Sequence, residues 1–173
     1  MFQIIARLSG LILLAAQQSL APFHATPTDV VDRMLAMANV TKEDTVLDLG
    51  CGDGRIPIRA AQKYGARGVG VDIDPELIER AKSNARSAGV EQLVEFRVED
   101  AMTTDVSKAT VVTLFLLPSS NAKLRPILTR GLQPGSRIVS HAFSMGPDWL
   151  ADKVDTFTTA GGDRVTLYLW VLR

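Results

Sequence analysis

The run Val46-Leu47-Asp48-Leu49-Gly50-Cys51-Gly52-Asp53-Gly54-Arg55 constrains this chain more than any other stretch. It reads as an apolar strand containing an acid, then glycines at alternate positions, then the opening of a helix. Glycine lets the backbone turn tightly without a Cβ and lets a ligand lie against bare peptide. A dinucleotide-binding turn is spaced G-x-G-x-x-G and brings a pyrophosphate onto a helix N-terminus. Here the spacing is G-x-G-x-G, and Asp48 stands two residues before the first glycine. A carboxylate at that place repels a diphosphate and suits a ligand carrying an ammonium or sulfonium charge.

The downstream chain repeats the strand-to-helix pattern. Arg55 to Tyr64 carries apolar residues at Ile56, Ile58, Ala60 and Ala61, with Pro57 in the first turn and Gly65 as a stop. Gly68-Val69-Gly70-Val71-Asp72-Ile73-Asp74 is a second short apolar strand ending in acid. Asp72 follows Gly50 by 22 residues. In doubly wound folds an acid about 20 residues past the glycine turn can take both ribose hydroxyls. Asp72 is therefore the expected ribose ligand, with Ile73 as a wall for an adenine. Asp74 before Pro75 reads as a helix cap, opening an amphipathic helix to Ala88 that Gly89 ends. Val94 to Val98 alternates as a strand and runs into Glu99-Asp100-Ala101; Ala109 to Leu117 is apolar enough for a central parallel strand.

These motifs, in this order, resemble those of the class I, seven-stranded, Rossmann-like methyltransferases that use S-adenosylmethionine (SAM). The resemblance implies an α/β fold: a doubly wound, mostly parallel seven-stranded sheet with a C-terminal antiparallel hairpin. It implies SAM as cofactor, held by Asp48, Gly50, Cys51, Gly52, Gly54, Asp72, Ile73, Asp100, Ala101 and Leu116. Asp100 and Ala101 match the position that meets the adenine edge, although Asp100 also reads as an ordinary loop acid. In this family the carboxylates hold the cofactor and do no chemistry.

Softer motifs resemble a narrower group. Ala21-Pro22-Phe23-His24-Ala25-Thr26-Pro27, Leu116-Leu117-Pro118-Ser119 and Val139-Ser140-His141-Ala142-Phe143 are similar to small bacterial relatives of the mitochondrial lysine methyltransferases. Those enzymes act on the c-subunit of ATP synthase and the adenine nucleotide carrier. The implied acceptor is a protein lysine. The rivals are a small-molecule O- or N-methyltransferase and a non-catalytic, membrane-anchored SAM-binding module. No Asn/Asp-Pro-Pro-aromatic loop follows strand four, which disfavours a nucleobase. The acceptor is expected against His24, Ser119, Ser120, His141 and Phe143. Of these, His24, Ser119 and His141 are the catalytic candidates. His24 also reads as a surface residue, and His141 as a hydrogen-bonding residue of the strand end.

The chain has 173 residues, enough for one domain with a real core. Lys plus Arg and Asp plus Glu stand at 19 each, so no positive field invites nucleic acid. One cysteine excludes an internal disulfide, and with two histidines it makes no convincing metal site. Residues 1–21 form an apolar leader, readable as a cleaved signal, a membrane anchor or a docking helix. The resemblance implies that residues 22–173 form the methyltransferase domain. It opens on a helix with Thr26 as cap and Pro27 at the first position, and closes on a hairpin around Ala160-Gly161-Gly162-Asp163. A further helix is expected from Asn121 to Arg130, interrupted by Pro126. Nothing in the sequence speaks to oligomeric state.

Overall fold

The computed structural model describes residues 24–173; the expectations for the leader lie outside them. One sheet organises this part of the chain, with seven strands in the order β3-β2-β1-β4-β5-β7-β6. The parallel strands are β1 (Thr45–Leu49), β2 (Arg67–Asp72), β3 (Val94–Val98), β4 (Val111–Leu114) and β5 (Arg137–His141). A closing hairpin, β6 (Lys153–Thr158) and β7 (Arg164–Val171), adds antiparallel to β5 through β7. The expected fold class is the one observed.

The central strands β1 and β4 carry near-continuous apolar runs because both faces are covered. On one face lie α1 (Thr28–Met37), α2 (Arg55–Tyr64) and α3 (Pro75–Ser87), whose residues Val31, Leu35, Ala60 and Ile78 are buried. The other face is covered by α4 (Pro118–Gly131) through Leu124 and Leu128, against Leu114, Ile138 and Trp170. Each such aliphatic side chain contributes about 1.5–3 kcal/mol by leaving water. Trp170 is fully buried, and its indole N–H is satisfied by the Trp149 carbonyl at 3.0 Å. The β3–β4 connection contains turns and no helix.

Local chemistry sets the helix starts. Asp74 caps α3, accepting from the Glu76 and Leu77 amides with Pro75 at the first position, as the sequence suggests. The expected cap at Thr26 is not formed. Pro27 takes the cap position of α1 without a side-chain bond, and the Thr26 hydroxyl is used elsewhere. The helix after β4 begins at Pro118, not Asn121, because proline at a first helical position needs no amide donor. Ser119 and Ser120 therefore belong to a helical turn. β4 is also shorter than Ala109 to Leu117 and stops at Leu114, leaving Phe115 to turn off the sheet. Among the described residues no helix is long and apolar enough to cross a membrane.

Candidate functional site

In the order 3-2-1-4-5 the chain reverses direction of travel between β1 and β4, which is where open α/β sheets bind ligands. At the carboxyl ends of these strands lies a cavity of about 290 Å³. Gly50, Cys51 and Gly52 line it, the two glycines as bare backbone. Gly50 has a φ of +82°, and a Cβ there would stand 3.0 Å from the Leu116 side chain, so only glycine makes this turn at no cost. Gly54 does not line the cavity. A Cβ on Gly54 would meet the Phe96 ring at 2.6 Å, so this glycine serves the close packing of α2 and α3 onto β3.

Asp48 lines the cavity and is 4% exposed. The Thr113 hydroxyl donates to it at 2.7 Å. Burial pushes the Asp48 carboxyl up to about 7; the Thr113 bond opposes this, while the charges of Asp72 and Asp53 add to it. Such a group gains from a cationic ligand. At the tip of β2, Asp72 accepts from the Gly52 amide at 3.0 Å and the Asp74 amide at 3.1 Å. A carboxylate has about four lone-pair sites, so two remain for a ligand. Ile73, Ala101 and Leu116 line the cavity as apolar surface. Asp100 accepts from the Met102 amide at 2.9 Å and is not among the lining residues, whereas the neighbouring Glu99 is. Cys51 is buried, and burial together with Asp48 and Asp72 drives its thiol far above the ordinary range. It is no nucleophile.

The other half of the cavity is built by distant segments. A strap of residues 24–27, leading into α1, contributes His24, Ala25 and Thr26 to the lining. The Thr26 hydroxyl lies 3.4 Å from His141 Nδ1 at the end of β5. His141 does not line the cavity; it backs Phe115, which does, with the rings stacked at 3.9 Å. His24 meets the same Phe115 ring edge-on at 6.3 Å. Burial, with the adjacent His24, lowers the His141 pKa to about 4, so its ring is neutral near pH 7. Ser119 is exposed, Ser120 is buried, and neither lines the cavity. Phe143 is also absent from the lining; its carbonyl accepts from Ser140 at 2.6 Å and from Asn121 at 3.2 Å.

Four contributors were not evident from sequence: Thr113, Phe115, Glu99 and the Asp53–Arg55 pair. Thr113 had a signal, being the one polar residue in Val111–Phe115. Among the described residues no group of three or more His, Cys, Asp or Glu side chains could hold a metal.

A profile of the ANTKMT methyltransferase domain matches residues 48–153. A protein-lysine N-methyltransferase of Saccharolobus islandicus is 41% identical over 87% of this chain and 93% of its own length. The human lysine N-methyltransferase named for the c-subunit of ATP synthase is 30% identical over 85% of this chain, which spans 60% of that protein. An RNA methyltransferase of Salinibacter ruber, solved with S-adenosyl-L-homocysteine, superposes with a TM-score of 0.80. It is 54% identical and covers 86% of this chain and 94% of its own. The chain belongs to the ANTKMT methyltransferase-domain family and is a SAM-dependent methyltransferase.

Proposed function

We propose that this enzyme methylates a lysine ε-amine on a protein, and that the protein is membrane-associated. The likeness to named protein-lysine N-methyltransferases carries this reading, and a sulfonium cofactor accords with the charge of the cavity. Asp48, Asp53, Asp72, Asp74 and Glu99 line it, and its one arginine, Arg55, is bound to Asp53. A dinucleotide's phosphate chain is repelled by such a lining, whereas the sulfonium of SAM is drawn to it. On the acceptor side, Phe115 backed by a neutral His141 offers an aromatic surface that tolerates a cation. The lysine relatives agree with this chemistry. The apolar leader and the ATP synthase component named for the human relative support a membrane-associated acceptor, since a leader held at a membrane raises the effective concentration of such a substrate.

In this reading Asp72 takes the ribose hydroxyls and Asp48 faces the positive charge, while Ile73 and Ala101 flank the adenine. SAM supplies a methyl group on a good leaving group, so alignment of the reactants provides most of the acceleration. The amine lone pair forms the new C–N bond as the methyl–sulfur bond breaks, and the sulfur leaves with its electron pair. The amine must arrive neutral, so the rate rises with pH until it is deprotonated.

The second reading, methylation of RNA, is favoured by the name of the Salinibacter neighbour. One experiment separates them. The full chain is incubated with methyl-labelled SAM, a host membrane extract and total host RNA. Label recovered as methyl-lysine after acid hydrolysis, rising with pH, is expected. Label released by ribonuclease, or found in a small metabolite, would overturn the reading.

A further inference from the structure

The glycine motif ends in Asp53-Gly54-Arg55, and neither charged residue has a place in the cofactor assignment above. Their geometry is unusual for a surface pair. Arg55 Nε donates to Asp53 Oδ1 at 2.9 Å and Nη2 to Oδ2 at 2.6 Å, a two-pronged contact. The third arm, Nη1, donates to the Thr26 carbonyl at 2.8 Å. The Asp53 carbonyl in turn accepts from Asn84 of α3 at 2.9 Å, so the turn carrying Asp53 is itself fixed. Burial alone would raise the Asp53 carboxyl, but the Arg55 guanidinium beside it brings it below its ordinary value.

The Thr26 carbonyl belongs to the strap. Apart from its carbonyl to Arg55 and its hydroxyl to His141, residues 24–26 make no other hydrogen bond among those described. His141 stacks on Phe115, and Phe115 lines the cavity. A continuous path therefore runs from the cofactor turn through Asp53 and Arg55 to the strap, and on through His141 to Phe115. The geometry points to Arg55 as a positioning residue that bolts the strap to the cofactor turn and so sets the acceptor-side wall. Only a guanidinium can serve both ends at once, because a lysine ammonium is a single point donor that cannot fork onto the Asp53 carboxylate and still reach Thr26. The inference rests on the cavity being the methyl-donor site and is independent of which acceptor is methylated.

The test uses the full chain with Arg55→Gln, Arg55→Lys and Thr26→Val. Binding of S-adenosylhomocysteine by calorimetry reads the cofactor half; kcat and KM for the acceptor read the other half. For Arg55→Gln, acceptor kcat/KM is expected to fall about tenfold or more while product binding stays within about threefold. Arg55→Lys should fall between this variant and wild type, and supplies the measurement if Arg55→Gln does not fold. Arg55→Gln and Thr26→Val should be non-additive on acceptor kcat/KM, since both release the same strap. Product affinity falling as far as acceptor kcat/KM would make Arg55 a cofactor ligand and overturn the inference. So would unchanged acceptor kinetics, or simple additivity with Thr26→Val. Failure of the wild-type chain to bind S-adenosylhomocysteine would instead sink the underlying reading of the cavity.

Discussion

The two halves of the cavity are made in different ways. The half under β1 and β2 is local: a glycine turn, Asp48 four residues before Gly52, and an amide of that turn bound to Asp72. The half under β4 and β5 is assembled from residues far apart in the chain. Thr26 and His141, 115 residues apart, share a hydrogen bond, and Phe115 joins them only through ring contact. A site that holds a constant cofactor can be built from backbone and a few acids. A wall that receives a particular acceptor is built from side chains meeting across the fold, where single substitutions can reshape it.

Three experiments press on that contrast. The largest effect is expected for Asp72→Ala. In the proposed function it removes two hydrogen bonds to a ribose, each about 1.5–3 kcal/mol when charge-assisted, and it frees the Gly52 amide as well. SAM affinity by calorimetry should fall by two orders of magnitude or more, about 3–6 kcal/mol; an unchanged value would dissolve the cofactor half as described.

The next is a pH effect centred on Asp48. Its carboxyl is raised to about 7, so a proton must leave before it can face a cation. SAM affinity should therefore drop as pH falls through 7, by up to about tenfold per unit at the limit. S-adenosylhomocysteine, with a neutral sulfur, should respond less, so the ratio of the two affinities should grow with pH. Equal pH dependence for both would place Asp48 away from the sulfonium. The same shift bears on stability in the unliganded protein. An acid raised in the fold binds a proton that the unfolded chain has lost, so its contribution falls as pH rises from about 4 to 7.

The smallest effect is expected for His141→Phe, which keeps an aromatic partner for Phe115 and loses only the long contact to Thr26. A neutral hydrogen bond of this kind is worth about 0.5–1.5 kcal/mol at most. Acceptor KM should rise severalfold with SAM affinity unchanged. Abolished turnover in a folded variant would make His141 a proton acceptor and replace the wall by a base.

The legibility of the sequence follows the same division. The Asp74 cap could be read because its partners are the next residues of its own helix. Asp48 and Asp72 could be read because each stands at a fixed place beside the glycine turn, although Asp48's own partner, Thr113, lies 65 residues on. The Thr26 cap misread a real hydroxyl whose partner, His141, sits at the end of β5. Ser119 looked like a loop residue after β4, yet Pro118 starts a helix there and turns it to solvent. Glu99, and not Asp100, lines the cavity, since the Asp100 carboxylate accepts from the Met102 amide, a local turn bond that composition does not announce. Phe115 was hidden inside an apolar run, since sequence does not say on which residue a central strand stops. Arg55 stood in plain view at the end of the glycine motif, but its partner Thr26 is set only by the fold.

Cys51 carries one more consequence. Its thiol is shut in the glycine turn at 4% exposure, and burial first, then the charges of Asp48 and Asp72, favour its protonated form. Thiolate is the reactive form, so alkylation in the closed turn is slow and must proceed through transient opening. As the one cysteine in the chain, it turns any maleimide or iodoacetamide time course into a stopwatch for the cofactor turn alone. Ligands that seat on the turn slow that clock, and those that meet only the acceptor wall leave it running.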